Sequence, residues 1–252
     1  ISGQRDFLYQ ETKDKKVKSY LEAAGHLVTE MPDNHCMMIG DLELTTIVTE
    51  GYDSCFLVNE DGCKFLNIND SQLDRVDELE KLVRHLPLDF IAIQFHYANW
   101  AGNPGDELIP EMKRKSAVER VKKVAEFCGT QNVMLFASYV YYCHEENFYW
   151  NKPGAIRKTY DDLKSSGLNV FIPTPGDEIL INDEVSYNSL SAKSEKNIDY
   201  WENLLAEKYA VERTSVVDIF ELAEAYSRFH DKLSAHNKLA KYLDTSLSDF
   251  HL

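Results

Sequence analysis

Three apolar, β-rich runs in this chain each end abruptly in polar side chains, and helical patterns separate them. The runs cover residues 63–68, 89–95 and 133–142, and the polar groups that follow lie in 69–70, 96–103 and 143–147. Strands that alternate with helices predict an α/β domain. Loops at strand ends are where function concentrates in such domains. If the three ends face one rim, their polar side chains converge on a single pocket.

The rest of the chain shows its own periodicity. Apolar spacing and turn residues predict helices over residues 12–24, 74–86, 107–128 and 154–165, and strands over 26–31, 36–39, 42–48, 55–58 and 169–172. From residue 197 onward the pattern is helical, over 201–209, 216–229 and 231–243. We therefore expect an α/β part over residues 1–185 and a helical extension over 186–252.

Charge and cysteine usage exclude several classes of protein. The net charge is −15, from 27 Lys+Arg against 42 Asp+Glu, and no basic stripe is visible, which argues against a nucleic-acid partner. No apolar run is long enough to span a bilayer. The five cysteines form no C-x-x-C pair, so we expect reduced thiols and a cytoplasmic location. The chain opens with Ile1 and shows no signal peptide, so we expect a cut, a processed start or an omitted segment before it.

The polar groups after the three runs are the candidate site residues. Asp70 follows a buried strand, so it either caps a helix that begins near Ser71 or holds a cation. His144 has two carboxylates beside it, Glu145 and Glu146, which are able to orient its second ring nitrogen. The candidate substrate-binding residues are His96, Asn99, Asn103, Glu146 and Asn147. A lone histidine such as His96 is also compatible with a purely structural role.

These motifs carry a family resemblance. The segments Tyr52-Asp53-Ser54, Phe65-Leu-Asn-Ile-Asn-Asp70, residues 94–103 (which contain Ala-Asn-Trp-x-Gly-Asn) and residues 136–151 (which contain His-Glu-Glu-Asn) resemble the second half of a metallo-β-lactamase-fold protein. The branch is similar to the hydroxylases of CMP-N-acetylneuraminate and to metallo-hydrolases of polysaccharide pathways. The resemblance runs from about residue 7 to about residue 177.

The resemblance implies an αββα sandwich with a metal site at the edge of its sheets. Asp70 matches the acidic metal ligand and His144 matches the last histidine ligand, while Asp53 stands near the position of a further ligand. The implied cofactor is a divalent metal, zinc first, with iron or manganese as alternatives. The His-x-His-x-Asp-His segment of the fold does not occur in this chain. We therefore expect the N-terminal half of the sandwich to be missing, and pairing with that half, with a second copy or with another partner.

Three hypotheses of function follow. The first is a metal-dependent hydrolase acting on a sugar, nucleotide-sugar or phosphoester substrate, with a nucleotide-sugar oxygenase component as a related possibility. In it, Asp70 and His144 are catalytic metal ligands. The second is a non-catalytic binding or assembly module that has lost its metal. In the third hypothesis all these polar residues have structural roles, as helix caps and members of hydrogen-bond networks in an ordinary α/β domain.

Overall fold

A computed structural model describes most of the chain. It covers residues 3–49, 53–71, 73, 75–96, 103, 105–106, 108–137, 139–181, 187–207 and 217–236. The chain divides into two compact units, Ile1–Val211 and Glu212–Leu252. The first unit holds the sheets and the candidate site. The predicted boundary at residues 185 and 186 stays a prediction.

A seven-stranded mixed sheet forms the centre of the first unit, with strand order β3-β4-β5-β6-β7-β8-β9. Strands β3 to β6 pair antiparallel, whereas β6 to β9 pair parallel. A separate parallel pair is formed by β1 and β2. The strands are β1 Asp6–Gln10, β2 Leu27–Met31, β3 Cys36–Ile39, β4 Leu42–Val48, β5 Ser54–Glu60, β6 Cys63–Asn69, β7 Phe90–Gln94, β8 Asn132–Phe136 and β9 Asn169–Phe171.

Helices occupy the connections of the parallel half and the C-terminal part. They are α1 Lys16–Ala23, α2 Val76–Glu80, α3 Leu108–Cys128, α4 Ala155–Ser165, α5 Tyr187–Ala206 and α6 Ile219–His236, with short 3-10 turns at Val83–His85 and Phe148–Trp150. The first five lie in the unit of the sheets and α6 lies in the second unit. None of the described helices combines the length and apolarity needed to cross a bilayer. The predicted mixed α/β class is confirmed.

The core lies on one face of the seven-stranded sheet. Strand side chains alternate between faces, so Leu57 of β5 and Leu66 of β6 point inward while Phe56 and Asn67 point to the other face. The inward side chains form one cluster with apolar residues of α3 and α4. In α4 the buried positions recur every three or four residues, as a helix that covers a sheet requires.

The opposite face of the sheet is only partly covered. On this face Phe90 and Phe171 are buried, whereas the other apolar side chains are half-buried, namely Phe56, Val58, Phe65, Met134 and Phe136. An apolar face of this kind agrees with the expectation of a half-sandwich. Pairing with another copy, with the missing half or with a partner stays a prediction.

Several predicted boundaries are wrong for physical reasons. The strand expected over 133–142 ends at Phe136, because Ala137 takes a left-handed conformation with φ 60° and turns the chain away. The aromatic residues beyond it pack into a second small core around Tyr142 and Trp150 instead. The helix expected from residue 74 begins only at Val76, so Asp70 does not cap it. Strand β1 was not predicted, and within the described residues α6 runs without a break through residue 230, where a gap between two helices was expected.

Candidate functional site

The sheet topology brings the predicted polar segments to one edge. Because β6, β7 and β8 are parallel neighbours, their C-terminal ends lie at the same edge. Strand β5 runs antiparallel to β6, so it begins where β6 ends. Asp53 before β5, Asp70 after β6, His96 after β7 and the segment 139–154 after β8 are all attached to this edge.

An open cavity of about 340 Å³ lies at this edge, on the face opposite the core. We call it the sheet-edge cavity, and its lining consists of Tyr9, Gln10, Asp53, Ser54, Phe56, Asn67 and Asn69. Its volume falls within the range of about 300–1,000 Å³ that is typical of small-molecule sites. One carboxylate, three amides and two aromatic rings therefore surround the same space.

Asn67 supplies a hydrogen-bonding group that the protein leaves open. Its side-chain Oδ1 is buried, and among the described residues it has no hydrogen-bond partner. Asn67 lies directly opposite Phe56 in the β5–β6 pairing, so a ring and an amide stand side by side in the lining. A buried acceptor without a partner costs about 1–3 kcal/mol. A ligand that donates a hydrogen bond here would recover that cost.

Asn69 stands at an irregular point of the sheet. The pairing of β6 with β7 shifts register between Asn67 and Asn69, and Asn69 has a positive φ of 57°. Asparagine tolerates this left-handed conformation better than most residues. Bulges of this kind often stand beside functional sites, where they redirect a side chain. Here both asparagines line the sheet-edge cavity.

Backbone contacts hold the start of β5 in place. The Asp53 carbonyl accepts the Thr49 N–H at 2.9 Å, and the Ser71 hydroxyl donates to the Ser54 carbonyl at 3.3 Å. Cys55 is the next residue, and its side chain points into the core. Burial raises the pKa of the Cys55 thiol to about 12, so it stays protonated and is a poor metal ligand.

The loop after β8 is tied down by side-chain hydrogen bonds. The Asn151 amide donates to the Tyr142 carbonyl at 2.7 Å and accepts the Tyr142 N–H at 2.9 Å. The Tyr149 hydroxyl donates to the carbonyl of Asn103 at 3.0 Å. The segments that follow β7 and β8 are thus in contact, as expected for neighbouring strand ends.

The remaining predicted residues have different surroundings. His96 is only 9% exposed and lies beside Phe95, next to a gap of about 20 Å³ that is large enough for roughly one water. His144 and Glu146 are exposed, as is Asp70, whereas Asn147 is half-buried. Asn99 lies outside the described residues. Among the predicted site residues that the structure describes, Asp53 is the one that lines the sheet-edge cavity.

The described residues do not fit a metal centre. Within the described part of the chain, no group of three or more His, Cys, Asp or Glu side chains is placed to hold a metal ion. A catalytic zinc takes at least three ligands from protein. Asp53, Asp70 and His144 therefore do not form such a centre with other described residues, and we derive no chemical step through a metal.

Sequence patterns had not singled out Tyr9, Gln10 or Asn67. Tyr9 and Gln10 belong to β1, which pairs in parallel with β2, the next strand along the chain, after the intervening helix α1. Asn67 does carry a signal, because it is a polar residue at a strand position between the apolar Leu66 and Ile68. A polar side chain facing away from the core in this way often belongs to a solvated face or to a site.

Comparison with solved structures finds proteins of the metallo-β-lactamase fold. The diiron β-hydroxylase CmlA from Streptomyces venezuelae matches with TM-score 0.47 and 12% identity, over 66% of this chain and 38% of that protein. The metallo-β-lactamase fold protein YhfI from Bacillus subtilis matches with TM-score 0.46 and 10% identity, over 69% of this chain and 64% of that one. Human tRNase Z, short form, matches with TM-score 0.35 and 9% identity, over 52% and 59%.

These solved structures have the fold that the sequence resembles, and at these TM-scores the family resemblance stays a prediction. The chain spans less than two thirds of each of these proteins. Identities and TM-scores at this level support no statement about activity. No protein-family model matches the chain, and a search of curated proteins gives no match.

Proposed function

We propose that this chain binds a small polyhydroxylated molecule, a sugar or a sugar derivative, in the sheet-edge cavity. In this proposal it is the substrate-binding part of a hydrolase of the metallo-β-lactamase type. The observation that carries the proposal is the buried, unpaired Oδ1 of Asn67 in a cavity shared with Asp53 and Asn69.

The chemistry of the lining matches a sugar. Sugar hydroxyls both donate and accept hydrogen bonds, and the cavity offers a carboxylate that accepts and amides that do both. The rings of Tyr9 and Phe56 offer apolar surface for the C–H face of a pyranose ring. Most of the lining is polar, and the two rings supply its apolar part.

Each side chain has a separate task in this proposal. Asn67 Oδ1 accepts a hydrogen bond from one sugar hydroxyl, which satisfies the buried acceptor. Asp53 accepts a second hydrogen bond and is the carboxylate placed to receive a proton from a hydroxyl or a water. Asn69, held by its left-handed backbone, fixes the orientation of the ring.

In the hydrolase proposal, some of the metal ligands would come from residues other than those that the structure describes. A divalent ion, zinc first and iron or manganese second, would require ligands in addition to Asp53, Asp70 and His144. The missing half of the sandwich or a second chain would supply them. Substrate class, metal and assembly are parts of this one proposal.

A second candidate function is a metal-free sugar-binding module. It is favoured by the described residues, which offer no three-ligand group although the cavity itself is formed. It predicts sugar binding that does not change when metal is added or chelated.

Calorimetric titration with N-acetylglucosamine, a neutral sugar, tests the proposal. We expect saturable binding that Asp53→Asn weakens about tenfold, since one charged hydrogen bond is lost. The matched control Asp41→Asn removes an exposed carboxylate from the β3–β4 turn and is expected to leave the affinity unchanged. Absence of binding, or equal weakening by both variants, would contradict the proposal.

Asn67→Val separates binding from stability. The variant removes the Oδ1 acceptor that has no partner among the described residues and places a β-branched residue in a strand, so we expect equal or higher stability together with lost binding. Loss of binding accompanied by unfolding would leave Asp53→Asn as the deciding variant.

Metal content distinguishes the two candidate functions. We measure it by inductively coupled plasma mass spectrometry on the purified protein. Stoichiometric zinc, iron or manganese that is lost in Asp70→Ala or His144→Ala supports the hydrolase. Sugar binding without any metal supports the binding module.

A further inference from the structure

A second cavity lies at the other margin of the seven-stranded sheet, away from every residue used above. Its volume is about 240 Å³, and it is enclosed by the end of α4, strand β9 and the first turns of α5. We call it the β9 cavity. Its lining includes Tyr160, Lys164, Leu168, Val170, Phe171 and Ser191.

Three polar groups meet at one side of the β9 cavity. The hydroxyls of Tyr160 and Ser191 are 3.0 Å apart and share one hydrogen bond. The Lys164 ammonium donates to Ser191 Oγ at 3.1 Å and to the Tyr160 hydroxyl at 3.4 Å. Tyr160 is 1% exposed, so this cluster sits at the border between core and cavity.

One hydroxyl proton of this cluster has no acceptor among the described residues. If Tyr160 donates to Ser191, the Ser191 proton has no acceptor among the described residues; if Ser191 donates, the Tyr160 proton has none. In both cases the remaining hydroxyl proton belongs to a residue that lines the cavity. The ammonium feeds the same chain of hydrogen bonds, which strengthens that donor. The site therefore calls for an acceptor oxygen.

The charge of the cluster is already balanced. Lys164 Nζ lies 3.7 Å from the Glu195 carboxylate, and the Arg157 guanidinium also donates to that carboxylate. Arg157 in turn pairs with Asp199 at 3.1 Å. Two cations thus face two carboxylates, so an added anion would find no excess positive charge. A neutral carbonyl oxygen matches the spare donor better than a carboxylate or a phosphate.

Apart from Asn169, whose amide donates to Asn132 Oδ1 at 2.9 Å, the rest of the lining is apolar, and it is firmly held. Val170 and Phe171 are 5% and 1% exposed, and Leu168 adds further apolar wall. Ser194 accepts the Ile172 N–H at 3.1 Å, and Asn197 donates to the Ile172 carbonyl at 2.8 Å, so α5 is fixed against the end of β9. A cavity of about 150 Å³ is known to hold benzene, so this larger one has room for a ring with a short substituent.

We propose that the β9 cavity binds a small neutral carbonyl compound with an apolar ring, whose oxygen accepts the spare proton of the Tyr160–Ser191 pair. Lys164 acts as a positioning residue, because it holds and polarises the two hydroxyls. This inference is independent of the proposed function, since it shares no residue with the sheet-edge cavity.

A pair of probes with the same shape tests the assignment without any variant. Acetophenone and ethylbenzene are titrated into ¹⁵N-labelled protein, and amide shifts of residues 167–171 and 190–191 are followed by NMR. We expect both to bind at these residues, with acetophenone about fivefold to tenfold tighter, because one hydrogen bond separates them. No saturable shift with acetophenone, or equal affinity for the two probes, would overturn the proposal.

Variants of the two hydroxyls locate the donor. Tyr160→Phe and Ser191→Ala each leave one hydroxyl proton beside Lys164, so we expect the preference for acetophenone to persist within about threefold. The double variant removes both protons and is expected to bind acetophenone and ethylbenzene equally. Ser165→Ala is the matched control, because its hydroxyl bonds to the Asp162 carbonyl outside the cavity. A double variant that keeps its native spectrum and its preference for acetophenone would refute the assignment.

Discussion

The side-chain amide of Asn197 donates a hydrogen bond of 2.7 Å to the carboxylate of Asp177. This bond joins α5 to the loop that follows β9. The same carboxylate accepts the Thr174 N–H at 2.8 Å and pairs with the Lys193 ammonium at 3.0 Å. A single acidic side chain therefore holds the helix that closes one margin of the sheet.

Asp177→Asn is expected to lower the free energy of unfolding by about 1–3 kcal/mol at pH 7, because several hydrogen bonds lose a charged acceptor. Urea unfolding followed by circular dichroism measures the change. Glu178→Gln, at the exposed neighbouring position, serves as the control and should cost less than about 0.5 kcal/mol. Equal losses in the two variants would contradict the role of Asp177.

The stabilisation from Asp177 depends on pH in a defined direction. Burial alone would raise the pKa of Asp177, but the Thr174 N–H, Lys193 and Asn197 together lower it below its ordinary value of 3.8. A carboxylate whose pKa is lowered by folding stabilises the folded state at pH values above its pKa in the unfolded chain. This stabilisation is lost as the pH falls through its pKa in the folded state. The difference in unfolding free energy between wild type and Asp177→Asn should be full at pH 7 and shrink below about pH 4. A constant difference from pH 7 to pH 3 would contradict this.

Arg114 is a buried link between α3 and α4. Its guanidinium is bidentate to Glu111 at 2.8 and 2.9 Å and reaches Asp162 at 2.7 Å, while its side chain is only 5% exposed. Arg114→Met keeps much of the apolar stem, so we expect a loss of about 1–3 kcal/mol from the hydrogen bonds, reduced because both carboxylates are half exposed.

Two further measurements check this role of Arg114. The hydrogen bonds from Arg114 lower the pKa of Glu111, so in Arg114→Met that pKa should return toward its ordinary value of 4.5, as NMR titration will show. Lys196→Met, at an exposed position on α5, is the control and should change neither quantity. An unchanged Glu111 pKa in Arg114→Met would contradict the assignment.

Ala137 is strained by its left-handed backbone, which costs a non-glycine residue about 1–2 kcal/mol. Ala137→Gly relieves this strain, but it also increases the conformational entropy of the unfolded chain, which costs about 0.4–1 kcal/mol of stability. We therefore expect the stability to be unchanged or raised by up to about 1 kcal/mol. The same change at Ala117, inside α3, should lower stability by about 1 kcal/mol. Thermal unfolding compares the two, and an equal loss in both would contradict the strain.

The five thiols should differ sharply in reactivity. Cys36 is exposed, whereas Cys55 and Cys128 are fully buried, and burial raises the pKa of each of these two to about 12. With Ellman's reagent we expect Cys36 to react first and the two buried thiols to react only after unfolding. Cys36→Ser should remove the fast phase. A fast phase that persists in this variant would show that another thiol is accessible.

Local signals in the sequence predicted much of the fold. The bounds of β3 and β4 agree with prediction, because Gly40 and Asp41 mark the turn between them. Helix α3 ends at Cys128 as expected, since Gly129 adopts the positive φ that ends a helix. The apolar run before Gln94 was correctly assigned as a fully buried strand.

Long-range pairing set the limit of prediction. The sheet-edge cavity depends on β1, whose partner β2 lies some 20 residues away. The sequence of neither strand specifies which strand it pairs with. Positions at strand ends and the family resemblance marked Asp70 and His144 as metal ligands, but coordination depends on distances that spacing along a chain does not determine. The segment after β8 was predicted as strand because aromatic side chains suit both a strand and a small irregular core such as that of Trp150.

Strand β3 has a consequence for how this protein meets other chains. It is the outermost strand of its sheet, it contains no charged residue, and Met38 and Ile39 are 57% and 43% exposed. Its outer row of N–H and C=O groups is a template on which a foreign strand adds most readily, and charged residues are what usually prevent such growth. At high protein concentration, association through β3 is therefore expected, and a single lysine introduced in β3 would oppose it.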